Sequence, residues 1–113
     1  MSDKFTDGPL SGVKILDLTS MISGPVATMM LADQGADVIK VEPLTGDLVR
    51  HLGPRRGELT STFISSNRSK RSLAINLKTE AGLDLLKTLV VSADVFVQIS
   101  ARERLNAWVC PRM

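Results

Sequence analysis

Two clusters of residues in this sequence could take part in binding chemistry. The first is the turn at residues 19–25 (TSMISGP), which follows a short apolar segment and precedes a stretch of helical composition. Ligand crevices form at the carboxyl ends of strands in open α/β sheets, so backbone amides in this turn could face a phosphate or a thioester. Gly24 and Pro25 could also serve only to end a strand and begin a helix, and composition alone favours this second interpretation.

The second cluster is the basic run at residues 67–71 (NRSKR), which is followed by a predicted strand and then by Lys78. Cations at the ends of strands can hold the phosphates of a nucleotide. A run of like charges is more often a solvated surface, and the lone histidine, His51, lies in a polar loop where histidines are usually solvated. The sequence carries none of the common signatures of dinucleotide-binding, P-loop, serine-hydrolase or zinc-protease sites.

Composition and charge narrow the class of protein. The chain has 113 residues and is 43% hydrophobic, which suits one globular domain or part of one. Residues 1–98 hold equal numbers of basic and acidic side chains, so the net charge of +2 lies in residues 99–113 and predicts no nucleic-acid-binding surface. A single cysteine, Cys110, allows neither an internal disulfide nor a cysteine-built metal site and suits the reducing cytoplasm. No signal peptide or membrane-spanning segment is predicted.

Hydrophobic periodicity and turn residues predict alternating strands and helices after a flexible leader at residues 1–9. The predicted strands are residues 13–18, 37–42, 72–77 and 94–98, the predicted helices are residues 26–34, 60–67 and 79–92, and residues 43–58 form a long loop. This alternation indicates an α/β fold, a Rossmann-like parallel sheet with crossover helices. If the sheet ended at Phe96, apolar residues of the last helix would stay exposed, with Leu83, Leu86 and Leu89 among them.

The two clusters and the residues between them resemble a known family. Within residues 10–98, the segments LSGVKILDLTS, ISGP, LADQGADVIKVE, NRSKRS and ADVFVQ are similar in order and spacing to the start of the family III CoA-transferases. This group includes formyl-CoA transferase, carnitine CoA-transferase and 2-methylacyl-CoA racemase. The resemblance identifies residues 10–98 as the incomplete, N-terminal part of the family's large Rossmann-like domain.

The resemblance also implies a chemistry and a set of partners. Family members bind coenzyme A in a cleft of the large domain, act on an acyl-CoA and a carboxylic acid, and form an interlocked homodimer. An aspartate further along the family's chain forms acyl anhydride intermediates by nucleophilic catalysis, which needs no metal. No position in this sequence matches that aspartate, so we assign no catalytic residue and expect the 113-residue chain by itself to be inactive.

Site residues carry over from the family by position. Met21, Ile22 and Ser23 match the loop near the thioester, Ile75 and Lys78 match residues that contact the CoA nucleotide, and Arg71 is a further candidate for binding CoA. Pro43 stands where many family members have an arginine that helps to hold CoA. Asp17 matches a structural residue at the end of a strand, so the resemblance gives it no catalytic role.

Residues 99–113 (ISARERLNAWVCPRM) depart from the family, which continues with the pattern N-F-x-P-G-x-x-E-R-L-G. One back-translation of these residues, read with a single base inserted before the codon for Ile99, gives NFRPGAVERLGVSAD. We therefore interpret residues 99–113 as a non-family tail produced by the loss of one nucleotide. Sequencing the gene through this point tests that hypothesis.

The sequence leaves three functions open. The first is the N-terminal part of an enzyme that transfers CoA between an acyl-CoA and a carboxylic acid, with a 2-methylacyl-CoA racemase as the alternative within the family. The second is a stand-alone Rossmann-like nucleotide-binding module, although the first turn lacks the glycine pattern that dinucleotide binders use. The third is a structural or interaction protein, which would fold without any preference for a ligand.

Overall fold

A computed structural model describes residues 8–99 of the chain. In chain order its elements are strand β1 (Lys14–Asp17), helix α1 (Ser23–Asp33), strand β2 (Asp37–Glu42), a 3₁₀ turn (Leu48–His51), strands β3 (Arg55–Arg56) and β4 (Leu59–Thr60), helix α2 (Ser61–Asn67), strand β5 (Arg71–Ala74), helix α3 (Glu80–Ser92) and strand β6 (Val95–Val97). Most of the predicted leader and of the predicted tail lies outside these residues. No helix within residues 8–99 has the length and apolarity that crossing a bilayer requires.

Four strands form one parallel sheet in the order β5-β2-β1-β6. The central strand β1 pairs with β2 and with β6, and Leu16 lies opposite Ile39 on one side and Phe96 on the other. Strands in such sheets are covered on both faces, which explains why β1 and β2 are rich in branched apolar residues. The predicted Rossmann-like α/β fold is therefore confirmed.

Helices cover both faces of this sheet because successive strand residues point to opposite sides. On one face, Ile15 and Val38 pack with Ala32 of α1. On the other face, Leu16 and Val41 pack with Leu86 of α3 and with Ile75.

The expectation that Leu86 would stay exposed is wrong, since its exposed fraction is 0%. Leu83 and Leu89 on the same helix are partly buried against that cluster as well. Strands β1 and β2 cover the centre of α3, so Leu86 is buried without any further strand.

The segment at residues 43–58, predicted to be one long loop, contains regular structure. The Asp47 side chain caps the 3₁₀ turn by accepting a hydrogen bond from the Val49 amide at 3.1 Å. After that turn, β3 and β4 form a short antiparallel hairpin with Arg55 opposite Thr60. The 3₁₀ turn and the two-residue strands are too short to show a hydrophobic period, so periodicity did not predict them.

Candidate functional site

An open cleft of about 1100 Å³ lies at the carboxyl ends of β1, β2 and β5. Three segments line it: the residues that follow β1 (Leu18, Thr19, Ser20), the end of β2 with the loop beyond it (Val41 to Leu48, and His51), and the residues after β5 (Ile75, Asn76, Leu77, Lys78). Carboxyl ends of parallel strands are where open α/β sheets bind ligands. We call residues 18–22 the first loop and residues 43–48 the second loop.

Asp17 anchors the first loop from beneath. Its side chain is fully buried and accepts hydrogen bonds from the Thr19 amide at 2.8 Å and from the Thr28 hydroxyl at 2.7 Å. Burial raises the pKa of this carboxyl, but the hydrogen bonds from Thr19 and from the Lys70 ammonium lower it by more than burial raises it. The pKa of Asp17 therefore lies below its usual value. Asp17 is therefore a charged structural anchor at the end of β1.

Lys70 balances this buried charge. Its ammonium lies 2.9 Å from Asp17 Oδ2 and donates to the Pro25 carbonyl and the Asn67 side-chain oxygen, each also at 2.9 Å. Its side chain is only 2% exposed. Burial lowers the pKa of Lys70, and the Asp17 carboxylate offsets part of that effect. One cation of the basic run at residues 67–71 thus belongs to the interior of the protein.

The first loop makes a tight turn into α1. Met21 has a φ of 70°, in the left-handed region, where a residue with a side chain is less stable by about 1–2 kcal/mol. A Cβ atom built on Gly24 would lie 2.5 Å from the Thr19 Cβ atom, so only glycine lets the first turn of the helix approach the loop. Ile22 caps α1 without a side-chain hydrogen bond. Gly24 therefore does more than end a strand, because it sets the distance between loop and helix.

A buried ion pair holds the second loop. Lys40 Nζ lies 2.8 Å from Asp47 Oδ2, and the two side chains are 1% and 2% exposed. The same ammonium donates to the Thr19 carbonyl at 3.2 Å, and Asp47 Oδ1 accepts from the Met21 amide at 3.3 Å. Lysine and aspartate are rarely buried this deeply unless they are paired. The pair thus ties the second loop to the first.

Glu42, the last residue of β2, accepts hydrogen bonds from three residues. The Arg50 guanidinium grips it in a bidentate ion pair, with Nε at 2.7 Å and Nη2 at 2.8 Å. The Asp47 amide and the Ser72 hydroxyl also donate to this carboxylate. Arg50 in turn lies over the Phe63 ring, 3.7 Å from its centre. These contacts fix both ends of the second loop.

The same contacts predict an acid sensitivity. Burial raises the pKa of Glu42, but the hydrogen bonds from Arg50, Ser72 and Asp47 outweigh it and lower the pKa from 4.5 to about 2. The unfolded chain therefore takes up this proton first on acidification, and Glu42 stabilises the fold above pH 4.5 and loses that contribution as the pH falls to 2. Allowing for solvent screening at the partly exposed Arg50, we expect a loss of about 2 kcal/mol.

Urea unfolding at several pH values across this window measures the effect. The Glu42→Gln variant should show a flatter dependence of unfolding free energy on pH than the parent chain. Glu58→Gln, which changes an exposed glutamate between β3 and β4, should keep the parent's slope. An unchanged slope in Glu42→Gln would rule out Glu42 as its source.

The structure brings together some of the residues carried over from the family. Ile75 and Lys78 both line the cleft, Ile75 almost fully buried and Lys78 exposed. Met21, Ile22 and Ser23 are exposed and follow directly on Ser20, which lines the cleft.

Arg71 lies elsewhere, at the amino end of β5, and pairs with Asp37 at 2.7 Å. Arg68 pairs with Asp33 at the surface, also at 2.7 Å. No cation of the basic run is therefore among the residues that line the cleft.

Sequence reasoning missed the groups that hold the cleft walls. Of Lys40 and Asp47, only Lys40 could have been found from the sequence. A lysine in the middle of a strand that is buried on both faces needs an internal partner for its charge. The position of that partner, in a loop after the strand, carried no signal of its own. His51 does line the cleft, and its Nε2 atom lies 3.2 Å from the Thr45 carbonyl oxygen. Among residues 8–99, no group of three His, Cys, Asp or Glu side chains is arranged to hold a metal ion.

Comparison with known proteins gives the same family that the motifs indicated. The model of CoA-transferase family III matches residues 10–109. The chain is 47% identical over 108 residues to human succinyl-CoA:glutarate CoA-transferase, which covers 94% of this chain and 25% of that protein. It is 44% identical over 105 residues to succinate–glutarate CoA-transferase of Agrobacterium fabrum, which covers 86% of this chain and 26% of that protein.

The solved structures agree. A CAIB/BAIF family protein from Brucella suis superposes with a TM-score of 0.84 and 37% identity, over 90% of this chain and 28% of that one. The chain spans about a quarter of the length of the curated relatives that it matches. The family match includes every element of the parallel sheet and the whole lining of the cleft. The chain therefore belongs to CoA-transferase family III.

Proposed function

We propose that this chain forms the CoA-binding N-terminal part of an enzyme that transfers coenzyme A between an acyl-CoA and a carboxylic acid. The observation that carries the proposal is the cleft at the carboxyl ends of three parallel strands, which Ile75 and Lys78 line at the positions matched to nucleotide contacts. The relatives named above are CoA-transferases, which favours transfer over racemisation. The interlocked homodimer and the anhydride chemistry of the family belong to the same proposal.

Each part of the cleft suits a different part of the ligand. Lys78 is exposed and carries a charge that can pair with a nucleotide phosphate. Ile75 offers an apolar contact beside it. The exposed turn at Met21, Ile22 and Ser23 lies next to Ser20 at the start of α1, and we assign it to the thioester end of the ligand.

A binding experiment on the 113-residue chain tests the proposal. In a titration with CoA followed by NMR, we expect amide shifts at Ser20, Ile75 and Lys78. The Lys78→Ala variant should weaken binding about tenfold, because it removes a charged partner of a phosphate. Lys87→Ala removes an exposed lysine of α3 that does not line the cleft and should leave the affinity unchanged.

The same preparation should transfer no CoA between acyl-CoA and free acids, because no residue here matches the family's nucleophilic aspartate. Shifts confined to residues outside the cleft would reject the proposed site. Turnover above a protein-free control would reject the assignment of catalysis to a residue absent from this chain.

The origin of residues 99–113 stays a proposal. The family match reaches residue 109 and so includes residues that the frameshift hypothesis reads as out of frame. A gene sequence in which no longer open frame follows a single inserted base would reject that hypothesis.

A further inference from the structure

Ser20 is the only residue of the first loop that is both exposed and part of the cleft lining within the described residues. Within residues 8–99, no hydrogen bond from Ser20 itself accounts for its position. Its two neighbours, Thr19 and Met21, are held by groups from a different part of the chain.

The buried pair of Lys40 and Asp47 holds the backbone of both neighbours of Ser20. Before Ser20, the Thr19 carbonyl accepts from Lys40 Nζ at 3.2 Å. After Ser20, the Met21 amide donates to Asp47 Oδ1 at 3.3 Å. The two side chains contact each other at 2.8 Å, so one ion pair holds the backbone on both sides of Ser20.

Neither partner is free to move. Lys40 extends from β2 in register with Asp17, and its residue is 1% exposed. Asp47 is 3% exposed, and its own amide donates to Glu42 at 2.8 Å while its Oδ1 atom also accepts from the Val49 amide. The second loop and β2 therefore hold the first loop together with Asp17 at the end of β1.

The backbone conformation of Met21 gives an independent reason why this loop needs to be held. Its left-handed φ of 70° is unfavourable for a residue with a side chain, and such a conformation persists only where the surroundings impose it. The contact between its amide and Asp47 is the constraint that the structure provides. Loss of this hydrogen bond would remove that constraint on the backbone beside Ser20.

We propose that Lys40 and Asp47 are positioning residues, which fix the peptide between Ser20 and Met21 as the wall of the cleft that faces the ligand. Asp47 is one of the residues that line the cleft, whereas Lys40 does not line it and is 1% exposed. The inference rests on the proposed function only for the identity of the ligand, coenzyme A. The effect on the loop itself is independent of any ligand.

Amide hydrogen exchange of the 113-residue chain, followed by NMR without ligand, tests the effect on the loop. The Met21 amide should exchange well below the rate of an unstructured peptide. In Asp47→Ser its exchange should accelerate about tenfold or more relative to the core amides of Ile15 and Val38, because a hydrogen bond to a charged group is lost. A general loss of stability would accelerate all these amides together.

Asp33→Ser is the matched control, because it breaks an ion pair of similar length, 2.7 Å, at the surface end of α1. Its Met21 exchange should stay within about twofold of the parent. Selective acceleration in Asp47→Ser alone supports the proposal. Unchanged Met21 exchange in Asp47→Ser, or equal acceleration in both variants, overturns it. If Asp47→Ser does not fold, the parent chain still decides, because unprotected exchange at Met21 contradicts the proposal and slowed exchange supports it.

A CoA titration of the same variants separates this inference from the proposed function. Affinity should fall about tenfold in Asp47→Ser and stay unchanged in Asp33→Ser. If the parent chain binds no CoA while Met21 responds selectively to Asp47, the proposed function fails and the positioning role stands. If the parent binds CoA and Asp47→Ser binds it equally well, the positioning role fails and the proposed function stands.

Discussion

Replacing Asp17 by asparagine is expected to lower the free energy of unfolding by about 3–5 kcal/mol, since it leaves a buried lysine without its counter-charge. Lys70 is 2% exposed, and its other two contacts, to Pro25 and Asn67, are to neutral oxygens. Domains of this size are stable by about 5–15 kcal/mol, so the loss would range from about a fifth of that stability to all of it. Lys70→Met should have an effect of the same size because it leaves the carboxylate unpaired.

Urea unfolding followed by circular dichroism measures this loss. Asp33→Asn breaks an exposed ion pair with Arg68 and should leave the midpoint nearly unchanged, which makes it the matched control. The double variant Asp17→Asn/Lys70→Met should recover much of the stability, because neither charge is then left alone in the interior. Equal midpoints for Asp17→Asn and Asp33→Asn would show that the buried pair contributes no more than a surface pair.

The second large effect is expected at Leu86, in the middle of α3. Leu86→Ala should reduce the free energy of unfolding by about 2–5 kcal/mol, because the side chain is wholly buried and its removal leaves a cavity. The cavity would border Ile75, which belongs to the same cluster and also lines the cleft. We therefore expect this variant to loosen the cleft wall as well as the core.

Two measurements separate these consequences. Thermal or urea unfolding reports the loss of stability, and Val91→Ala, at a site 87% exposed on the same helix, should change it little. The amide signal of Ile75 should shift in Leu86→Ala and not in Val91→Ala. Alanine is the best helix former, so helix propensity cannot cause a loss in either variant. A stability loss in Val91→Ala as large as that in Leu86→Ala would mean that the burial of Leu86 does not set the effect.

Local pattern was enough to predict the framework of the site. The run of β-branched residues gave strand β2 at residues 37–42, the bounds that the structure has. Thr79 precedes α3 and accepts from the Gly82 amide, a capping arrangement whose effect is local in the chain. The family resemblance then assigned Ile75 and Lys78 to the nucleotide site, with Ile75 inside the predicted strand at residues 72–77 and Lys78 just after it. In the structure β5 ends at Ala74, so both residues follow the strand and line the cleft. Periodicity and capping act within a few residues, so a single sequence carries them.

Which charge meets which partner was decided only by the tertiary structure. The basic run at residues 67–71 is one continuous feature in the sequence, yet its neighbouring cations separate in the fold. Lys70 reaches Asp17, 53 residues away in sequence, while Arg71 at the amino end of β5 pairs with Asp37 at the surface. Likewise nothing in the sequence near Lys40 indicates that it reaches the carbonyl of Thr19. Hydrophobic burial follows the period at which apolar residue types recur, so much of its pattern can be predicted from the sequence. An ion pair depends on the distance and shielding between two groups, and these exist only after the parallel strands have brought their carboxyl ends together.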